Sequence, residues 1–132
     1  MTNPEPTKES GLIEDEDSPV DWKVAQSLTG GDADLLDELI TMFPVESVKH
    51  LAAVRAGIDA GDAQQLTRGA HSLKSAAGFF GAKTLVACAL EMENLGSASS
   101  IPEAGNLLPT LEQETARLNE VLEQERPTAR KG

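Results

Sequence analysis

Aromatic residues are scarce in this chain. They make up 3% of 132 residues, with one Trp and no Tyr. A core must therefore come from Leu, Ala, Val and Ile, a composition that suits packed helices. The sustained alternation of β-branched and polar residues that marks a strand is missing too. Cys88 is the only cysteine, which excludes an intrachain disulfide. Its place in an apolar helical pattern reads as a buried, inert thiol. Positive charge is in short supply: 11 Lys and Arg against 22 Asp and Glu leave a net charge of −11. With no basic patch, neither nucleic acid nor an anionic membrane surface is an expected partner, since both are held by Lys and Arg. No apolar run is long enough to span a bilayer, and the opening MTNPEPTKES lacks the apolar stretch of a signal peptide. A reducing, cytoplasmic setting is the expectation.

The length suits one domain with a single core. Residues 1–19 hold three prolines and the acidic run Glu14, Asp15, Glu16 and Asp17, and read as a disordered acidic tail or linker. Residues 20–125 carry the apolar pattern of a helical bundle. Residues 126–132 form a basic end expected to fray.

Within the bundle, VDWKVAQSL at 20–28 is amphipathic, with Trp22, Ala25 and Leu28 on one side. It is too short to stand alone and is expected to cap one end of the bundle. Asp32 is a helix N-cap candidate. From there Leu35, Leu36, Leu39, Ile40, Phe43, Val48, Leu51, Val54 and Ile58 keep helical spacing to about residue 60. Pro44 should bend this helix, or divide it into two abutting ones. His50 has no partner signalled by spacing and reads as a surface histidine. Gly61 and Asp62 read as a stop and a restart, with Gln65 completing a capping box. The next helix should run to Phe80 and end at Gly81. Another follows from 83 to 96, with Leu85, Cys88 or Ala89, Met92 and Leu95 on its seam. The last restarts near Pro102 and fades near Glu125. Four substantial helices and one short one, briefly connected, predict an all-α fold: an antiparallel four-helix bundle with a short N-terminal capping helix.

The stretch AHSLKSAAGFFGA at 70–82 organises the rest. Leu66, Ala70, Leu73, Ala77 and Phe80 make one apolar seam. His71 falls about 100° off that seam, at its edge or outside it. Thr67, Arg68, Lys74, Ser75 and Gly78 share its face at helical steps. Gly78 costs helix stability and can be read as room for another backbone to approach the imidazole, or else as close packing of a neighbouring helix or a loosened last turn. Lys74 is a point charge with three donors that would neutralise a phosphoryl group on the ring.

AHSLKSAAGFFGA resembles the signature of histidine-containing phosphotransfer (HPt) domains, roughly H-x-L-K-[G/S]-small-small-x-x-[L/F/V]-G-A. His71, Leu73, Lys74, Ser75, Ala76, Ala77, Phe80, Gly81 and Ala82 all fit, with Ser75 where Gly is more common. The general layout from about 20 to 125 is similar as well. The resemblance implies the same bundle and a phosphorelay function. His71 accepts a phosphoryl group from the aspartate of a response-regulator receiver domain and donates it to another. Lys74 neutralises charge, and Thr67, Arg68, Ser75 and Gly78 form the docking face. Partners implied are receiver domains and a hybrid sensor histidine kinase. No cofactor is implied on this chain, with Mg²⁺ expected on the receiver. A monomer is expected. Many family members place a polar residue of the following helix beside the histidine. Glu93 occupies that offset, and a plain surface acid is its favoured reading over contact with the ring, because a carboxylate would also repel the phosphoryl group.

Autokinase activity is not expected. In kinase dimerisation domains an acid directly follows the histidine, whereas Ser72 stands here, and no Gly-rich nucleotide box or ATP domain is present. A bundle metal site is not expected either, since there is no Glu-x-x-His pair. The alternative from another class is a non-catalytic helical adaptor module, which would display exposed Leu or Met.

Overall fold

The computed structural model of the chain describes residues 18–125. The acidic segment through residue 17 and the basic end from 126 lie outside the described residues. Five helices follow in order: α1 (Trp22–Leu28), α2 (Ala33–Ala60), α3 (Ala63–Gly78), α4 (Lys83–Ser97) and α5 (Ile101–Glu125). The four long helices pack in a ring, α2 on α3, α3 on α4, α4 on α5 and α5 back on α2. The predicted four-helix bundle is therefore the observed one.

Short polar signals set the helix ends. The carboxylates of Asp21, Asp32 and Asp62 accept from the backbone N–H of Lys23, Leu35 and Gln65, which satisfies donors the first turn leaves free. Gly61 closes α2 in the left-handed conformation, φ 67°. The Gly61 and Asp62 amides return to Ile58 and Gly57, so the reversal into α3 is tight and the two helices run antiparallel.

The end of α3 differs from the expectation. Regular helix stops at Gly78, two residues early, because the last turn tightens. The Phe79 and Phe80 amides donate to Ala76 and Ala77, three residues back. Gly81 then turns the chain at φ 62°. A Cβ there would stand 2.6 Å from the Cβ of Asp21, so this glycine also lets the start of α1 lie against the end of α3. The Asp21 amide donates to the Phe80 carbonyl at 2.8 Å. That bond fixes α1 across the bundle end, as a capping helix.

The core runs along the bundle axis through Ile40, Val54, Leu66, Leu73, Leu85, Met92, Leu111 and Leu118, among others, all buried. Phe80 is buried at one end, edge-on to both Phe43 and Phe79. Cys88 is buried as expected. Burial, with help from Glu91 and Glu114, pushes its thiol up to about 11, so it stays protonated and unreactive. Helix α2 continues unbroken through Pro44. Ser47 Oγ donates to the Pro44 carbonyl and accepts from Asn119 of α5, which ties the proline turn to the neighbouring helix. Three apolar positions that helical spacing placed with the core are exposed instead: Leu28, Leu35 and Val48. Each lies on the flank of its helix, where periodicity alone does not separate a buried edge from a bare one.

Candidate functional site

Helix α3 carries the site on the side opposite its buried seam of Leu66, Ala70, Leu73 and Ala77. The rigid seam sets the rotation of the helix, and that rotation puts His71 outside. Its side chain is 58% exposed. Glu93 comes up from α4 beside it, and its carboxylate is only 19% exposed. One oxygen, Oε2, lies 2.9 Å from His71 Nδ1. The other, Oε1, lies 2.7 Å from Lys74 Nζ. The favoured reading of Glu93 as a plain surface acid is thus corrected: it joins the histidine to the lysine. The hydrogen bond from Lys74, with a further one from His71, outweighs partial burial and holds the Glu93 carboxyl below the usual carboxylate value of 4.5. An ionised carboxylate only accepts, so Nδ1 carries the ring proton. In the neutral form of the ring Nε2 is then the unprotonated nitrogen, and a neutral imidazole nitrogen of that kind is a nucleophile.

Close approach of α3 and α4 makes this reach possible. Gly96 faces Thr67, and a Cβ at Gly96 would collide with the Thr67 hydroxyl and stand 3.1 Å from its amide nitrogen. The missing side chain brings the helices together one turn from His71. Thr67 is therefore turned partly toward α4, and its hydroxyl donates to the Ala63 carbonyl at 2.7 Å. Arg68 is exposed. Ser75 is exposed one turn beyond the histidine. Gly78 has open space: a Cβ there would meet only Val86 Cγ2, at 3.9 Å. The explanation of Gly78 by helix packing is thereby removed.

Sequence reasoning missed the groove beside this face. Leu39, Met42, Phe43, Glu46 and His50 of α2 line it against Ser75, Ala76, Phe79 and Phe80, around a volume of about 470 Å³. Met42 is 47% exposed, and Val45 and Val48 of the same helix are more so. Surface chains of this kind carry no periodic signal, so only the packed helices reveal the patch. His50, read as a surface histidine, is half-buried. It is 23% exposed, with Nε2 3.8 Å from Glu46 Oε1.

Against known proteins, the family model of the Hpt domain matches residues 38–124, well over half of the chain. The chain belongs to the Hpt family. A solved Hpt protein, histidine-containing phosphotransfer protein B (HptB) from Pseudomonas aeruginosa PAO1, is 31% identical over 81% of this chain and 93% of that one, with a TM-score of 0.75. No curated protein matches. The chain is thus a phosphotransfer module of two-component phosphorelays. Kinases and receiver domains are the partner classes that the Hpt family implies. Among the described residues, no cluster of three or more His, Cys, Asp or Glu is arranged to hold a metal ion. No helix among them is long and apolar enough to cross a membrane.

Proposed function

We propose that His71 is the phosphoacceptor of this Hpt domain and that the phosphoryl group is carried on Nε2. The observation that supports this most is the pairing of an exposed side chain with a held Nδ1: Glu93 engages Nδ1 while the His71 side chain is more than half exposed. The lone pair of Nε2 attacks the phosphorus of a receiver's aspartyl phosphate. The N–P bond forms as the P–O bond to the aspartate breaks, and the carboxylate leaves. Such a transfer asks for in-line approach and charge neutralisation. Arg68, Ser75 and Gly78, with the accessible edge of Thr67, form the docking face. The apolar groove along α2 and α3 receives the adjoining apolar surface of the receiver. Lys74 supplies positive charge, and the receiver brings its own Mg²⁺. A hybrid sensor histidine kinase feeds the relay. The domain acts as a cytoplasmic monomer, without autokinase activity. Exposed apolar side chains on α2 are what an adaptor would also display, yet Met42 here lines a groove with Ser75, one turn from the histidine, and serves the same docking event.

Incubation with a phosphorylated receiver domain should place label on the protein that is lost in acid and kept in alkali, the behaviour of a phosphoramidate. Incubation with ATP and Mg²⁺ alone should place none. Label stable to acid would sink the assignment.

A Gly78→Leu variant separates docking from folding. A leucine gains about 1 kcal/mol of helix propensity over glycine, and its Cβ has room. The thermal midpoint should hold or rise. Transfer from the receiver should fall by about a hundredfold, the scale of a 1 Å misplacement. Unfolding of the variant, or transfer at the original rate, would each argue against a docking role.

A further inference from the structure

The carboxylate at His71 has a consequence beyond orienting the ring. Both Glu93 oxygens are engaged, one by His71 Nδ1 and one by Lys74 Nζ. Lys74 offsets the charge that would otherwise set Glu93 against an arriving phosphoryl group. The charged surroundings of the ring are few. From α4 comes Glu93, and from α3 itself come Lys74 and, one turn earlier, Arg68. Across the groove on α2, Glu46 and His50 pair with each other. Among the described residues, Glu93 is the ionisable group in contact with the ring.

Taking His71 as the phosphoacceptor, we propose that Glu93 keeps the Nδ1 proton on the ring after phosphorylation and so sets the alkaline limit of onward transfer. The neutral ring enters with its proton on Nδ1 and uses the Nε2 lone pair to form the N–P bond. The ring becomes an imidazolium, and the donor's carboxylate departs with the negative charge. In onward transfer the N–P electron pair returns to Nε2, the phosphorus takes up an aspartate oxygen, and a neutral imidazole leaves with Nδ1–H intact. If Nδ1–H were lost beforehand, the departing group would be an imidazolate, a much poorer leaving group. A carboxylate that accepts from Nδ1–H favours the proton-bearing form. The lowered proton affinity of Glu93 itself keeps that carboxylate ionised. Glu93 is in this account a positioning residue, acting through the ring.

The test is the rate of onward transfer to one receiver domain as a function of pH, for the wild type and Glu93→Gln. The amide still accepts a hydrogen bond but carries no charge, and charge-assisted bonds are about twice as strong. The alkaline fall of the variant should begin about one pH unit lower, which is about tenfold slower transfer at a given alkaline pH. Freeing Lys74 alters the plateau, so the midpoint is the quantity read. Superposable profiles overturn the proposal while leaving His71 as acceptor. Label retained on His71→Gln in the same assay overturns the acceptor reading instead. Should Glu93→Gln fail to fold, the ring nitrogens of the phosphorylated wild type are titrated by NMR beside a phosphohistidine peptide. Loss of the Nδ1 proton at a higher pH in the protein supports the proposal, and equal midpoints overturn it.

Discussion

Replacing His71 with Gln should abolish label transfer from a phosphorylated receiver domain and leave the fold standing. The side chain is more than half exposed, and substitutions at such positions usually shift stability by about 0.5 kcal/mol or less. Glu93 keeps Lys74 as a partner, so no buried charge is orphaned. Glutamine is close in size but offers no nucleophilic nitrogen. Activity should therefore be lost as a whole, while the unfolding curve should barely move. The chain has one other histidine, His50, which is half-buried and turned to Glu46. Label persisting on the variant would move the acceptor there or elsewhere. The measurement is retention of label after transfer, read beside circular dichroism melts of both proteins.

The reverse separation is expected for Phe80→Ala, which strikes stability. Phe80 is 2% exposed and packs edge-on against Phe43 and Phe79, ring centroids 5.6 Å apart in each pair. Its carbonyl also anchors the start of α1. Removing a buried phenyl ring costs about 3–5 kcal/mol in transfer energy and cavity, set against a total of about 5–15 kcal/mol for a domain of this kind. The urea midpoint should drop accordingly. Phosphotransfer by the fraction still folded should persist, because His71 lies on the exposed side of α3, but at a lower rate, since Phe80 also lines the apolar groove assigned to the receiver. A loss below about 1 kcal/mol would mean that the end of the bundle collapses onto the gap, or that Phe80 is less committed to the core than its burial indicates.

Much of this was readable in the chain because local signals and packing agree. The seam Leu66, Ala70, Leu73 and Ala77 fixes which side of α3 is buried, and that alone puts His71 outside. The Gly61-Asp62 and Gly81 punctuation marks where the helices reverse. What escaped depends on relations between helices. Glu93 reads as any exposed acid until α3 and α4 are brought together at Gly96, and nothing in the spacing of one helix reports that approach. His50 and Met42 look like ordinary surface residues until Ser75, Ala76 and Phe79 close a groove against them. Leu28, Leu35 and Val48 were misplaced for the converse reason: helical spacing marks an apolar flank but not how far the neighbouring helix covers it. The last turn of α3 shortened because its amides bond three residues back, a choice between hydrogen-bond patterns that composition does not dictate.

The proposed relay turns on one nitrogen of one ring. A carboxylate engages Nδ1 of His71, and the proposed relay therefore carries the phosphoryl group on Nε2. Phosphorus–nitrogen coupling in NMR spectra of the phosphorylated, isotopically labelled protein reads the bonded atom directly. Coupling to Nε2 of His71 is the predicted result. Coupling to Nδ1 of that ring, or to either nitrogen of His50, would contradict it.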